Sequence, residues 1–187
     1  RRCCRPCVLR DARRAIAAGA AVINDTTGVH DPAMADVVAD SDATLVVAHS
    51  RASPRTQLPL PHYDDVVAQV RAFLEERVAL AESRGVPRER LIIDPGHDLN
   101  KNTRHSLELT RRLGELAGIG LPLLVALSNK DFIGESLGRP RSERLPDPSL
   151  PRCTARCKGH ECCGCTTFPR ASMPPAWSRV SGGGASR

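Results

Sequence analysis

Residues 63–96 read YDDVVAQVRAFLEERVALAESRGVPRERLIIDPG and contain a helix pattern followed by a strand pattern. Apolar residues recur at helical spacing from Tyr63 to Arg84, and Gly85 follows as a typical helix terminator. The apolar run Leu91–Ile93 then predicts a short strand. A helix that leads into a buried strand is typical of an α/β fold in which helices cover a parallel sheet.

The same alternation extends on both sides of this segment. Three more apolar runs predict strands, and three more amphipathic patterns predict helices. The strands are Ala21–Ile23, Thr44–Val47 and Leu123–Leu127, and the helices are Asp11–Ala18, Pro32–Ala39 and Arg104–Leu116. Because the strand runs are apolar throughout rather than alternating, we expect the sheet to be covered on both faces. Residues 8–150 are therefore expected to form one α/β segment with parallel strands.

The composition argues against several classes of function. Of 187 residues, 41% are hydrophobic and 26% are charged, which is ordinary for a soluble domain, and no apolar run reaches membrane-spanning length. The net charge of +6 comes from the two ends, because residues 8–150 carry a slight excess of acids. Only five aromatic residues are present to stack on nucleic acid, and the first residues lack a secretory-signal pattern. We expect a cytoplasmic protein that binds neither nucleic acid nor a membrane.

Polar side chains follow each predicted strand at the point where the strand ends. In chain order they are Asn24 and Asp25 after the first strand, His49 and Ser50 after the second, Asp94 after the third, and Ser128, Asn129 and Lys130 after the fourth. The carboxyl ends of parallel strands meet at one edge of a sheet, where α/β proteins bind their ligands. The sequence therefore predicts a binding site at this edge, although turns also favour Asn, Asp and Ser without any ligand.

Four segments in this order resemble the dihydropteroate synthase family. They are AAGAAVINDTTGVHDPAMA at 17–35, HYDDVVAQVRAFLEERVALAESRGV at 62–86, LIIDPG at 91–96 and PLLVALSNKDFIGE at 122–135. The resemblance implies a pterin-binding (β/α)8 barrel of folate biosynthesis. It also implies a transferase that condenses 6-hydroxymethyl-7,8-dihydropterin diphosphate with 4-aminobenzoate, with Mg²⁺ assisting. A homodimer is a further expectation.

The resemblance assigns three residues to a pterin pocket: Asn24, Asp94 and Lys130. An ionised carboxylate can accept from the adjacent ring N–H and amino group of a pterin, while an amide and an ammonium suit its ring nitrogen and carbonyl. The expected rim of the pocket consists of His49, Ser128 and Asn129. No catalytic residue and no metal ligand is assigned in this chain.

The sequence departs from the family in two motifs and in length. After Asp94-Pro95-Gly96 the family usually has a glycine and an aromatic residue before its lysine, whereas this chain has HDLNK at 97–101. The family's Ser-Arg-Lys is Ser128-Asn129-Lys130 here. A full barrel of this class needs about 250 residues, so we expect an incomplete barrel fragment. These departures favour a non-catalytic pterin-binding paralogue as an alternative to the working enzyme. A methyltetrahydrofolate-binding methyltransferase-like domain is another alternative with the same barrel.

Residues 151–187 differ from the body and predict a disordered tail rich in Cys, Pro and Gly. Cys4-x2-Cys7 and Cys162-x2-Cys165 match zinc-ligand spacing, with Cys153, Cys157 and His160 as further candidates. Zinc or nucleic-acid binding through the basic tail is therefore the alternative from a different class of function. A third interpretation is that the tail is an out-of-frame translation of the last barrel strand. A shifted reading of residues 158–171 allows GARVLRVHDVPA, and the cysteine-rich start would be a similar artefact.

Overall fold

The computed structural model describes residues 5–51, 62–127, 130–138, 155–157 and 160–162. Helices and strands alternate along most of this chain. The helices are α1 (Arg5–Ala17), α2 (Ala33–Ala39), α3 (Val66–Ser83), α4 (Thr103–Arg111), α5 (Leu113–Ala117) and α6 (Asp131–Leu137), with a 3₁₀ turn at Arg88–Arg90. The strands are β1 (Val22–Asp25), β2 (Thr44–Ala48), β3 (Leu91–Asp94), β4 (Ala155–Cys157) and β5 (His160–Cys162).

The strands β1, β2 and β3 form a parallel sheet in that order. Residues paired in register on parallel strands point to the same face, and faces alternate along each strand. The face that we call the front carries Val22, Asn24, Thr44, Val46, Ala48, Ile92 and Asp94, and the back carries Ile23, Asp25, Leu45, Val47, Leu91 and Ile93. The predicted pterin residues Asn24 and Asp94 therefore share the front face, two strands apart.

The back face forms the hydrophobic core together with the helices. Leu45, Leu91 and Ile93 are fully buried there, alongside the α3 residues Val70 and Leu74. The front face is more open, because Val22 is 51% exposed and Asn24 is exposed as well. The prediction of cover on both faces is thus wrong for β1. Within the described residues β1 is an edge strand that pairs only with β2.

The fourth predicted strand, Leu123–Leu127, is reduced to a single parallel bridge between Ile93 and Leu123. The Ile93 N–H donates to the Pro122 carbonyl at 3.0 Å, and the Leu124 N–H donates to the Ile93 carbonyl at 2.8 Å. The next bond of a parallel ladder would need an N–H at Pro95, which proline lacks. The segment still follows the path of a strand, but its regular pairing ends where β3 ends.

The predicted helices are present with shifted boundaries. Helix α3 lies within the predicted Tyr63–Arg84 and begins after Asp65, whose carboxylate accepts from the N–H groups of the first turn. Helix α1 begins earlier than predicted. The predicted helix Arg104–Leu116 is divided into α4 and α5, because Arg112 leaves the helical region with φ −109° and ψ 23°. Helix α6 was not predicted.

The predicted disordered tail contains one described element. Strands β4 and β5 pair antiparallel, with Cys157 opposite His160. The other residues of 151–187, and the candidate zinc ligands Cys4, Cys153 and Cys165, lie outside the described residues. No helix in the described part of the chain is long and apolar enough to cross a membrane.

Candidate functional site

The side chain of Asp94 lies at the end of β3, on the front face, and one of its oxygens takes no hydrogen bond from the described residues. The backbone N–H of Gly96 donates to its Oδ1 at 2.7 Å, whereas no hydrogen bond from the described residues reaches Oδ2. Burial raises the pKa of Asp94, and the cations of Lys130 and Lys101 lower it in opposition. The residue is only 8% exposed. A carboxylate with an unpaired oxygen beside two cations can accept N–H groups from a ligand.

The loop that follows Asp94 is closed by a buried lysine. The Lys101 Nζ donates to the carbonyls of Gly96 at 2.8 Å and Leu99 at 3.0 Å, and lies 2.8 Å from the Nδ1 of His49. Burial lowers the pKa of Lys101 to about 7, which Asp94 counteracts. Burial also lowers the pKa of His49 to about 2, so that its ring is neutral. The end of β2 and the loop after β3 are thus held together by one ammonium group.

Lys130 also bonds to this loop. It lies just before α6, and its Nζ donates to the His97 carbonyl at 3.0 Å. The His97 ring is 1% exposed and stacks on Phe132, with ring centroids 5.7 Å apart. Burial lowers the pKa of His97 to about 3. His97 thus places an aromatic ring in the loop where the family usually has an aromatic residue. That ring packs on the side chain of Phe132.

Two residues of this loop have left-handed backbone conformations, Asp98 at φ 62° and Asn100 at φ 52°. The Asp98 Oδ2 accepts from the Asp131 N–H at 2.6 Å. The Asn100 Oδ1 accepts from the Arg51 N–H at 2.9 Å and from the Ser50 hydroxyl at 3.1 Å. These side chains therefore tie the loop to the segment after β2 and to the start of α6.

The structure brings together part of the predicted site. His49 and Asp94 are adjacent through the His49 N–H, which donates to the Asp94 carbonyl at 2.8 Å, and Lys130 is close enough to influence the Asp94 pKa. Asn24 shares their sheet face but is exposed and forms no hydrogen bond with the described residues. The predicted rim residues Ser128 and Asn129 lie outside the described residues.

Sequence reasoning missed Lys101 and His97 as members of this site. In the sequence, His97 and Lys101 stand out only as the first and last residues of the divergent motif HDLNK. A lysine seven positions after a strand-end aspartate carries no periodic signal, since its partner His49 is 52 residues away in the chain. The unusual motif itself was the available signal.

The described residues do not form a metal site. No group of three or more His, Cys, Asp or Glu side chains within this part of the chain is arranged to hold a metal ion. The resemblance implies Mg²⁺, but the residues that lie around Asp94 are lysines and neutral histidines, and cations repel a divalent ion. The described site therefore does not fit a magnesium ion, and no chemical step is derived through one.

Comparison with known proteins identifies relatives of this arrangement. The family model described as pterin binding enzyme matches residues 8–162. The inactive dihydropteroate synthase 2 of Mycobacterium leprae is 46% identical over 143 residues, which are 72% of this chain and 48% of that protein. The chain spans about half the length of the curated relatives it matches.

Solved structures give the same result for the fold. The dihydropteroate synthase of Xanthomonas albilineans in complex with 7,8-dihydropteroate superposes with a TM-score of 0.66 at 41% identity, covering 73% of this chain and 49% of that one. The dihydropteroate synthase of Thermus thermophilus in complex with 4-aminobenzoate superposes with a TM-score of 0.69 at 39% identity, covering 73% and 53%. The described sheet thus corresponds to part of a larger parallel barrel, as the sequence predicted.

Proposed function

Because this chain belongs to the pterin-binding enzyme family, we propose that its sheet edge forms the pterin-binding part of a dihydropteroate synthase-type protein. The observation that carries the proposal is the Asp94 carboxylate. It is buried at the end of β3, and its Oδ2 takes no hydrogen bond from the described residues. The Oδ2 lone pairs can therefore accept from a ligand, and the nearby cations of Lys130 and Lys101 favour the ionised carboxylate.

The chemistry of a pterin matches the groups around Asp94. Its ring N–H and 2-amino group are adjacent donors, and the two Asp94 oxygens still have free lone pairs to accept both. Lys130 lies close to Asp94 and can donate to the ring carbonyl. Asn24 lies on the same face two strands away, roughly 10 Å across the sheet at the usual strand spacing, and its amide can both donate and accept.

The finer parts of the proposal follow from the relatives. We propose that the pterin is 6-hydroxymethyl-7,8-dihydropterin diphosphate and that 4-aminobenzoate is the second substrate, with His49, Ser128 and Asn129 at the rim. The Mg²⁺ that the resemblance implies would have to be held by groups other than those around Asp94. A cytoplasmic location, a homodimer, and the absence of nucleic-acid and membrane partners belong to the same proposal.

A second candidate is a pterin-binding protein that does not catalyse the condensation. The loop at 97–101 favours it, because Asp98 and Asn100 tie the loop to its neighbours in a region where the family usually has a glycine and an aromatic residue. A loop fixed in this way has less freedom to move during a reaction cycle. The relative from Mycobacterium leprae, at 46% identity, is named inactive.

The experiment is a calorimetric titration of the protein with 6-hydroxymethyl-7,8-dihydropterin. Charge-assisted hydrogen bonds contribute about 1.5–3 kcal/mol each, so Asp94→Asn is expected to weaken binding at least a hundredfold. Asp42→Asn is the matched control, since Asp42 is exposed and the charge change is the same. Equal affinity of the wild type and Asp94→Asn would refute the pocket. An assay for pteroate formation from the diphosphate and 4-aminobenzoate then separates the synthase from the non-catalytic binder.

A further inference from the structure

Lys101 is a buried cation with all of its hydrogen bonds directed to protein groups. It is 7% exposed, and three acceptors surround its Nζ: the Gly96 carbonyl, the Leu99 carbonyl and the His49 Nδ1. An ammonium group has three N–H donors and no acceptor, so these partners satisfy it completely. Lys101 therefore has no donor left for a ligand and does not belong to the binding groups themselves.

The partners of Lys101 connect it to the Asp94 carboxylate through Gly96. The Lys101 Nζ holds the Gly96 carbonyl at 2.8 Å, and the Gly96 N–H holds the Asp94 Oδ1 at 2.7 Å. Gly96 itself is pressed against the end of β2, since a Cβ built on it would lie 2.1 Å from the His49 carbonyl oxygen. Both peptide groups that flank Gly96 are thus fixed, and they fix the direction of the carboxylate.

The His49 ring completes this connection and fixes its own protonation. Because the Lys101 ammonium donates to Nδ1, that nitrogen must carry a lone pair, and the proton of the neutral ring lies on Nε2. The His49 backbone N–H also donates to the Asp94 carbonyl at 2.8 Å. Lys101 consequently holds the ends of β2 and β3 together at the position where Asp94 presents its unpaired oxygen.

The structure assigns Lys101 as the positioning residue of Asp94: through Gly96 and His49 it aims the carboxylate at the ligand without touching the ligand. This inference rests on the proposed function for the identity of the ligand, a pterin. Desolvating a buried ammonium is costly, and here the three acceptors around the Lys101 Nζ offset that cost. A cation at this place is explained by what it does to the neighbouring carboxylate and its loop.

The test compares Lys101→Met, which removes the donors, with Lys101→Arg, which keeps the charge but not the three-way geometry. Arg104→Met is the matched control, because Arg104 is an exposed cation three residues away. Three quantities are measured at pH 6: the affinity for 6-hydroxymethyl-7,8-dihydropterin, the ¹⁵N signal of the His49 Nδ1, and amide hydrogen exchange at Gly96. The ¹³C titration of the Asp94 carboxyl is recorded in addition.

Both Lys101 variants are expected to lose at least tenfold in affinity and to exchange the Gly96 amide faster. The Asp94 pKa is expected to rise in Lys101→Met but not in Lys101→Arg, and the His49 signal should leave the position of a hydrogen-bonded lone pair in Lys101→Met. If affinity, Gly96 exchange and the Asp94 titration all equal those of Arg104→Met, the inference is wrong.

The design separates this inference from the proposed function. If the wild type does not bind the pterin, the proposed function is wrong, and the Gly96 exchange and Asp94 titration alone decide whether Lys101 positions the carboxylate. If Lys101→Met does not fold, Lys101→Gln takes its place, because it keeps an N–H donor. If neither variant folds, Lys101 has a structural role only and the inference is overturned.

Discussion

The strands β1 and β3 of the same sheet each end in an aspartate, and the two carboxylates form different hydrogen bonds. Asp25 ends β1 and points to the back face, where its Oδ1 accepts from the Thr27 N–H and hydroxyl and its Oδ2 accepts from the Val29 N–H. Asp94 ends β3 and points to the front face, where the Gly96 N–H donates to Oδ1 and no other described residue donates to the carboxylate. Both residues are buried, at 5% and 8% exposure. The difference between them lies in their hydrogen bonds.

This difference teaches that residue type and burial do not identify a binding carboxylate. The Asp25 side chain satisfies backbone groups that would otherwise be unpaired in the turn, including the N–H of Val29, which is fully buried at φ 55°. The Asp94 side chain leaves one oxygen for something outside the described chain. Each aspartate is followed by a glycine that packs against the end of β2, Gly28 and Gly96.

The largest expected effect comes from Gly96→Ala, which breaks the Asp94 side of this comparison. The added Cβ would lie 2.1 Å from the His49 carbonyl oxygen, and the backbone has φ +66°. Overlap with backbone and the left-handed conformation together are expected to cost about 3 kcal/mol or more in the free energy of unfolding, measured by urea denaturation. Gly120→Ala is the control, since Gly120 has φ +79° but open space around it. A loss in Gly96→Ala no greater than the control would contradict the close contact.

A smaller effect is expected from the same substitution at the two aspartates. In Asp25→Asn the group that faces the buried Val29 N–H becomes either an amide NH₂, which cannot accept, or an amide oxygen, which accepts less strongly. Either change is expected to cost about 2 kcal/mol of stability. Asp94→Asn keeps the acceptor for Gly96 and relieves a buried charge, so its free energy of unfolding should stay within about 1 kcal/mol of the wild type. Urea denaturation of both variants at pH 7 measures the contrast. Equal losses at the two sites would show that Asp94 is as structural as Asp25.

The smallest expected effect is a pH dependence of pterin affinity. Burial raises the pKa of Asp94 above its ordinary 3.8, and binding requires the ionised carboxylate. The affinity should therefore fall about tenfold for each pH unit below the raised pKa. The free energy of unfolding changes with pH in the opposite direction. A raised pKa in the folded state stabilises the protein while Asp94 is protonated, and this contribution is lost as the pH rises through that pKa. Calorimetric titrations from pH 4 to 7 measure the affinity; a level profile would exclude Asp94 as the acceptor.

The sequence predicted the fold and the polar residues at the strand ends, because both depend on local patterns. Helix α3 follows from apolar spacing and an Asp65 cap, and the strands β1 to β3 follow from short apolar runs. The strand-end positions of Asn24, His49 and Asp94 required only that parallel strands end at one edge. The comparisons confirm the family and the partial barrel that these patterns suggested.

The regularity of the fourth strand could not be predicted in the same way. The run Leu123–Leu127 has a strand composition, but its ladder depends on donors in another segment. Pro95 was visible in the sequence as part of a motif. Its effect on pairing required knowing that residue 95 would lie opposite the segment after Leu123. The break between α4 and α5 at Arg112 is a further case, since that side chain bonds to Asp65, 47 residues away.

The sequence by itself determined the order of helices and strands, the family, and which polar residues stand at the strand ends, because each of these is written in neighbouring residues. Only the tertiary structure decided that both Asp25 oxygens accept hydrogen bonds, whereas one Asp94 oxygen takes none from the described residues, and that the Lys101 ammonium lies beside the His49 ring. A hydrogen-bond partner is chosen by packing, which brings together groups far apart in the chain. For that reason, the motif around Asp94 could single it out by family resemblance, but no local pattern could give the hydrogen-bond partners of either carboxylate.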